Sequence, residues 1–273
     1  MSSNTLPPEI WLKIFQHQTT PDLYPMLLSS KSFYALVKEE MYKEISLASP
    51  RNIVKFLLHI KKNDNVAQKV LSLRFNHRHM LYVNDNHLGS IFRLSQTTLP
   101  RLVNLRILRL YGVPRNRNAT LNPYYFSNIL NDCTFPHLRI FETDVMLMPE
   151  TIDDFLIRHQ NTIEVLSLRS AWHGIFSIEP PVTCGKLVTF MGLPFLVGYW
   201  LRMIDTPVLQ RVVVYVGLKD ELGRLLEDIG QLPVGTRELE FRAYGEVKGA
   251  DIQDEISRHP FDVEVVEVTE AFD

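Results

Sequence analysis

Leu102-Val103-Asn104-Leu105-Arg106-Ile107-Leu108-Arg109-Leu110 is the stretch that decides how this chain folds. Its leucines are spaced by three, three and two residues. The last step, Leu108 to Leu110, is the alternation of a β-strand with one buried face, and Arg109 and Tyr111 then fall on the opposite face. The wider steps before it do not fit a strand and mark the turn that delivers the chain into it.

Outward from this stretch the same short apolar strand recurs. It is written Val70-Leu71-Ser72-Leu73, Leu138-Arg139-Ile140-Phe141, Val165-Leu166-Ser167-Leu168, Leu187-Val188-Thr189-Phe190, Val212-Val213-Val214, Leu239-Glu240-Phe241 and Val265-Val266-Glu267-Val268. Taking Leu71, Leu108, Phe141, Leu166, Phe190, Val212, Leu239 and Val266 as equivalents, the first two steps exceed thirty residues and the other five lie between 22 and 27. Between the strands, Leu88 to Leu94, Tyr124 to Leu130, Ile152 to Ile157, Leu218 to Ile229 and Ile252 to Ile256 have helical spacing. Thr151-Ile152-Asp153-Asp154 and Lys219-Asp220-Glu221 place acids in a first helical turn, where the helix dipole favours them. Asp153 and Asp154 are therefore expected on a solvated face.

The later steps resemble leucine-rich repeats, and the two longer ones resemble repeats carrying insertions. The asparagine usual after the strand is mostly missing, so the repeats are divergent. The resemblance implies an α/β fold in which a curved solenoid carries a parallel sheet on its concave side. An ordinary α/β fold of βαβ units is the competing architecture.

The totals agree with an intracellular globular chain. At 273 residues there is room for one large core, or a small module and a larger one. A formal net charge of -2 supplies no general attraction to nucleic acid or an acidic membrane surface. Two cysteines, Cys133 and Cys184, exclude a disulfide-dense secreted scaffold. After Met1-Ser2-Ser3-Asn4 there is no basic region followed by an apolar core, so a secretory signal is not expected, and the sequon at Asn118 would matter only in a secreted protein. The most membrane-like run, Leu187 to Ile204, is interrupted by Gly192, Pro194, Gly198 and Arg202, and reads as a strand followed by a short segment.

Residues 6 to 47 differ from the rest. Pro7 and Pro8 suit a first helical turn, whose amides are unpaired anyway, and Glu9 complements the helix start. Ile10 with Ile14 and Trp11 with Phe15 then make a broad apolar stripe. Asp22 is the expected N-cap of a second helix bearing Leu23, Met26 and Leu27, with Pro25 in its first turn. Ser30 or Ser32 opens a third, with Phe33, Leu36, Val37 and Met41 on one side. The order Leu6-Pro7, Glu9-Ile10, Ile14-Phe15, Asp22-Leu23, Ser30-Lys31-Ser32-Phe33, Leu36, closing on Met41-Tyr42 with Ile45 and Leu47, resembles an F-box. It departs at Gln18 and Ser29, where apolar residues are usual, and carries Phe33 where tryptophan is common. The expected organisation is an F-box over residues 1–48, a helical linker over 49–66 and a divergent leucine-rich-repeat domain over 67–273.

The resemblance implies the substrate receptor of an SCF-type ubiquitin ligase, lodged in cytoplasm or nucleus. Its partners would be a Skp-type adaptor, through it a cullin-RING ligase, and a protein target. Leu6, Pro7, Ile10, Ile14, Phe15, Leu23, Leu27 and Leu36 are the candidate adaptor contacts. Target binding falls to side chains flanking the strand leucines, above all Arg74, Arg109, Tyr111, Arg169 and Tyr215, with Glu142 and Asp144 interrupting the basic row. The insertions 111–123 and 172–183 are alternative recognition loops. No catalytic residues, metal or cofactor are expected, because no GxSxG, GxxxxGK[ST] or GxGxxG motif occurs. Gly185-Lys186 lacks the rest of a phosphate loop. His77, His79 and His87 have no cysteine or acid at ligand spacing. Two rival readings are an adaptor-bound regulator without ubiquitin transfer and a divergent α/β enzyme.

Overall fold

A computed structural model describes residues 6–18, 20–76, 85–111, 124–145, 147–169, 182–217, 226, 235–244, 247–258 and 265–270. Three helices come first: α1 (Pro8–Gln16), α2 (Thr20–Ser29) and α3 (Lys31–Lys43). Then follow β1 (Glu44–Leu47), α4 (Pro50–Lys62), a single turn α5 (Asp64–Ala67), β2 (Ser72–Asn76), α6 (Asp85–Thr98), β3 (Ile107–Tyr111), α7 (Tyr124–Asn131) and β4 (Ile140–Thr143). The chain continues through α8 (Pro149–His159), β5 (Val165–Leu168), β6 (Val182–Thr183), β7 (Thr189–Gly192), α9 (Pro194–Met203) and β8 (Ile204–Asp205). It closes with β9 (Arg211–Val216), β10 (Glu238–Ala243), α10 (Gly249–Ile256) and β11 (Val265–Glu270). The loop residues 112–123 and 172–181, His77, His79, Asn118 and all but Leu226 of the helix expected over 218–229 lie outside the described residues.

Among the described residues nine strands form one sheet in the order β1-β2-β3-β4-β5-β7-β9-β10-β11, every pair parallel. The order never reverses, so right-handed crossovers put all connecting helices on one face. There α4 packs on α6, α6 on α7 and α7 on α8. One register row crosses the whole sheet: Ile45, Leu73, Leu108, Phe141, Leu166, Phe190, Val212, Leu239 and Val266. From Leu73 to Leu239 that row is buried in a single core.

The same backbone device starts successive strands. The carbonyl of Leu71 accepts from the amides of Arg106 and Ile107, and that of Arg106 from Arg139 and Ile140. Arg139, Glu164, Val188 and Gln210 repeat this towards the strands after them. Three residues before each core-row position sits another buried side chain: Val70, Leu105, Leu138, Ile163, Leu187, Leu209 and Thr236. These equivalences correct the frame at its start. Leu71 matches Arg106, so Leu73, not Leu71, matches Leu108, and the strand is Ser72–Asn76.

Three further expectations change. The helix α2 begins at Thr20 rather than after Asp22, which leaves Pro25 inside it, without an amide to donate to Pro21. Glu44–Leu47 is an edge strand pairing with β2, although it closes the stretch that resembles an F-box. The segment expected as a linker is a core helix, with Ile53, Phe56, Leu57 and Ile60 of α4 buried in the large core. The run from Leu187 to Ile204 resolves into β7, α9 and the start of β8, and no helix among the described residues is long and apolar enough to cross a membrane.

Candidate functional site

Two surfaces carry the candidate residues. The first is the helical module. Pro8 is the first residue of α1, and the carbonyl of Pro7 accepts from Ile10 N–H (3.0 Å) and Trp11 N–H (3.3 Å). Phe33 N–H donates to the Ser30 hydroxyl (3.1 Å), so Ser30 is the N-cap of α3. A core separate from that of the sheet forms from Phe15, Leu23 and Val37, with Trp11, Ile14, Met26, Leu27, Phe33, Leu36 and Met41 packed around them. Trp11, Phe15 and Phe33 make an aromatic triangle with centroid separations of 4.7 to 5.9 Å, two of its contacts edge-on.

This geometry sorts the candidate adaptor contacts. Phe15 and Leu23 are buried inside the module, whereas Ile14, Leu27 and Leu36 are half-buried. Leu6 (46% exposed), Pro7 and Ile10 (40%) face solvent. Sequence reasoning missed Leu28, an apolar side chain 90% exposed, along with Tyr24 and Tyr34. The signal was the adjacent pair Leu27-Leu28: neighbours lie about 100° apart on a helix, so one turns outward when the other packs.

The module is not hung on a hinge. The helix α3 ends at Lys43 and β1 begins at Glu44, with no residue between. Leu71 N–H donates to the Lys43 carbonyl (2.9 Å). Tyr42 stacks on His59 of α4, with its hydroxyl 3.1 Å from Nε2. Met41 thus belongs to the small core and Ile45 to the large one.

The second surface is the sheet face away from the helices. Its central register row runs Ser46, Arg74, Arg109, Glu142, Ser167, Met191, Val213, Glu240 and Glu267. Arg74 lies over the Tyr111 ring (4.9 Å) and Arg169 over both Tyr111 (5.6 Å) and Tyr215 (4.8 Å). Arg242 lies over the Tyr215 ring (5.5 Å) and donates to its hydroxyl (3.1 Å). The Tyr111 hydroxyl donates to Glu142, which also faces Arg109 (3.1 Å) and Arg169 (3.8 Å). Burial, and then the bond to Glu142, push the Tyr111 phenol well above its ordinary pKa. Glu240 accepts from Arg242 (2.6 Å), Arg211 (2.7 Å) and Thr269 (3.2 Å). Its burial works upward, yet these donors hold it at about 2.

Thus Arg74, Arg109, Tyr111, Arg169 and Tyr215 do come together, but not as a row of free cations. Glu142 neutralises part of the charge, and Tyr215 is buried beneath Arg169 and Arg242. Ser167 and Val213, which share this face, are buried too. Arg74, next to Ser46 in the row, is exposed, with Tyr111 as its ring contact.

Other titratable groups among the described residues are shifted by burial. Asp153, expected on a solvated face, is buried, with one carboxylate oxygen unpartnered. Burial, then the charges of Asp154 and Glu150, push it up to about 6. The buried thiols of Cys133 and Cys184 are pushed up to about 12 and about 11, which keeps them protonated. Among the described residues no three His, Cys, Asp or Glu side chains gather into a metal site.

Comparison with known proteins bears on the first surface. Residues 3–48 match the family model described as F-box-like, so the chain carries an F-box-like domain there. No curated protein matches the chain.

Proposed function

We propose that this chain is the substrate receptor of an SCF-type ubiquitin ligase: its F-box-like module docks on a Skp-type adaptor, and its α/β body, a divergent leucine-rich-repeat solenoid, presents a protein target. The observation that carries this reading is the F-box-like match over residues 3–48 on a module that leaves Leu6, Ile10 and Leu28 exposed. F-box domains generally bind Skp-type adaptors. The contact falls to Leu6, Pro7, Ile10 and Leu28, with Ile14, Leu27 and Leu36 behind them, while Phe15 and Leu23 act from within by shaping the module. Burying about 400 Å² of apolar surface per partner would supply roughly 10 kcal/mol of gross transfer energy. Association costs of several kcal/mol are subtracted from that.

The adaptor links the chain to a cullin and RING subunit, and a ubiquitin-charged enzyme reaches the bound target. The gain in rate is proximity, which needs no nucleophile from the receptor. The gapless passage from α3 to β1 supports this role, because a receptor with one fixed orientation holds the target at one place. The guanidinium groups of Arg74, Arg109 and Arg169 meet the target, with Tyr111 and Tyr215 holding Arg74 and Arg169 in position and Glu142 holding Arg109.

Leu6→Ala combined with Pro7→Ala abolishes recovery of the adaptor in affinity purification from cell extract, while the far-UV circular dichroism and melting of the body stay as in the parent. Full adaptor recovery with that double variant would sink the assignment.

A further inference from the structure

The core-facing row is sealed from β2 to β10; Ile45 of the first edge strand, β1, is half-buried, and the row opens widest at the last strand. Leu73, Leu108, Phe141, Leu166, Phe190, Val212 and Leu239 are all at most 2% exposed, whereas Val266 of β11 is 39% exposed. At the other end of the sheet, α3 runs directly into β1 and α4 follows, so that end is continuous with helices. Nothing among the described residues pairs with the outer side of β11, which pairs only with β10. On the polar face, Glu267 stands beside Glu240, whose donors Arg211, Arg242 and Thr269 are already engaged. Glu267 is exposed, on the last strand of a face where arginine answers glutamate at Arg109–Glu142 and Arg211–Glu240.

We infer that the outer edge of β11 takes up an extended segment of another protein by strand addition, one that alternates apolar and basic side chains. The unpaired amides and carbonyls of an edge strand supply affinity for any extended backbone, and the side chains on its two faces supply selectivity. Here one face offers the exposed flank of Val266 and the other the carboxylate of Glu267. Because side chains alternate across a strand, a segment with period two satisfies both faces at once. A second copy of this chain fits worse, since the symmetric pairing centred on Glu267 sets the two carboxylates opposite one another. The inference stands apart from adaptor docking, which uses the opposite end of the chain.

The test uses the full chain and two fluorescent hexapeptides, one alternating Lys with Val and one alternating Glu with Val. Fluorescence anisotropy should show saturable binding of the Lys–Val peptide and at least tenfold weaker binding of the Glu–Val peptide. Glu267→Lys should reverse that order. Hydrogen exchange should slow at residues 265–270 on binding the Lys–Val peptide. The inference is overturned by no saturable binding, by equal binding of the two peptides, by a preference unchanged in Glu267→Lys, or by protection gained elsewhere. Concentration-dependent self-association removed by Glu267→Lys would overturn it in favour of pairing between copies.

Discussion

Thr236 fills a slot that its counterparts give to Val70, Leu105, Leu138, Ile163, Leu187 and Leu209, and its buried hydroxyl has no hydrogen-bond partner. Thr236→Val keeps the shape and removes the unmet polar group, so it should stabilise the body by about 1 kcal/mol, read as a higher denaturant midpoint with an unchanged slope. His159 is the opposite case, a buried polar group fully paired. Phe135 N–H donates to Nε2 (2.9 Å) and Nδ1 lies 2.7 Å from the Phe155 carbonyl, which suits the neutral ring with its proton on Nδ1. Burial holds its pKa below the ordinary imidazole value. The unfolded chain takes up a proton near pH 6.5 while the folded chain resists, so this stability is complete above about pH 6.5 and drains away as pH falls below it. Denaturant midpoints followed from pH 8 to pH 5 should fall, and His159→Gln should flatten that fall while lowering the plateau.

Elements were legible wherever one face alone is buried. The alternation in Leu108-Arg109-Leu110 located β3, and the recurrent strands after it lie in the same sheet within two residues of where their apolar pairs put them. Misplacements came where a short apolar run has two environments to choose from. Ile45 and Leu47 fit the closing step of an F-box and also fit a strand, and only the backbone of β2 beside them settles the matter. The stripe of α4 announced a helix but not its partner, which is α6. Ser30 and Ser32 were both legible as the cap of α3, the structure assigns it to Ser30, and removing that hydroxyl is a direct check. Ser30→Ala should cost about 1 kcal/mol, with faster hydrogen exchange in the first turn of α3.

Taken whole, the described residues form two cores of very unequal size: three buried side chains in the helical module, and one continuous core under the sheet. Local stability follows buried apolar contact, so the amides of α1 and α2 should exchange well before those of β3 to β9. Phe15→Ala, a truncation worth about 3–5 kcal/mol in a packed core, should erase the protection of the module and leave that of the sheet intact. A single transition shared by both would mean that the α3–β1 junction couples the cores more tightly than their separate packing implies.

By itself the sequence determined the recurrent strands from β3 onward and the helical module with its likeness to an F-box, since these follow from local spacing and residue order, whereas the parallel sheet was what the resemblance to leucine-rich repeats implied. The tertiary structure decided which apolar residues of that module are core and which are surface, because the partner of a helix face is not written in its own period. It also decided that the arginines of the sheet face are held by Tyr111, Glu142, Tyr215 and Glu240 rather than left free. Those side chains come from different strands, and only the register of the hydrogen-bonded sheet brings them within reach of one another.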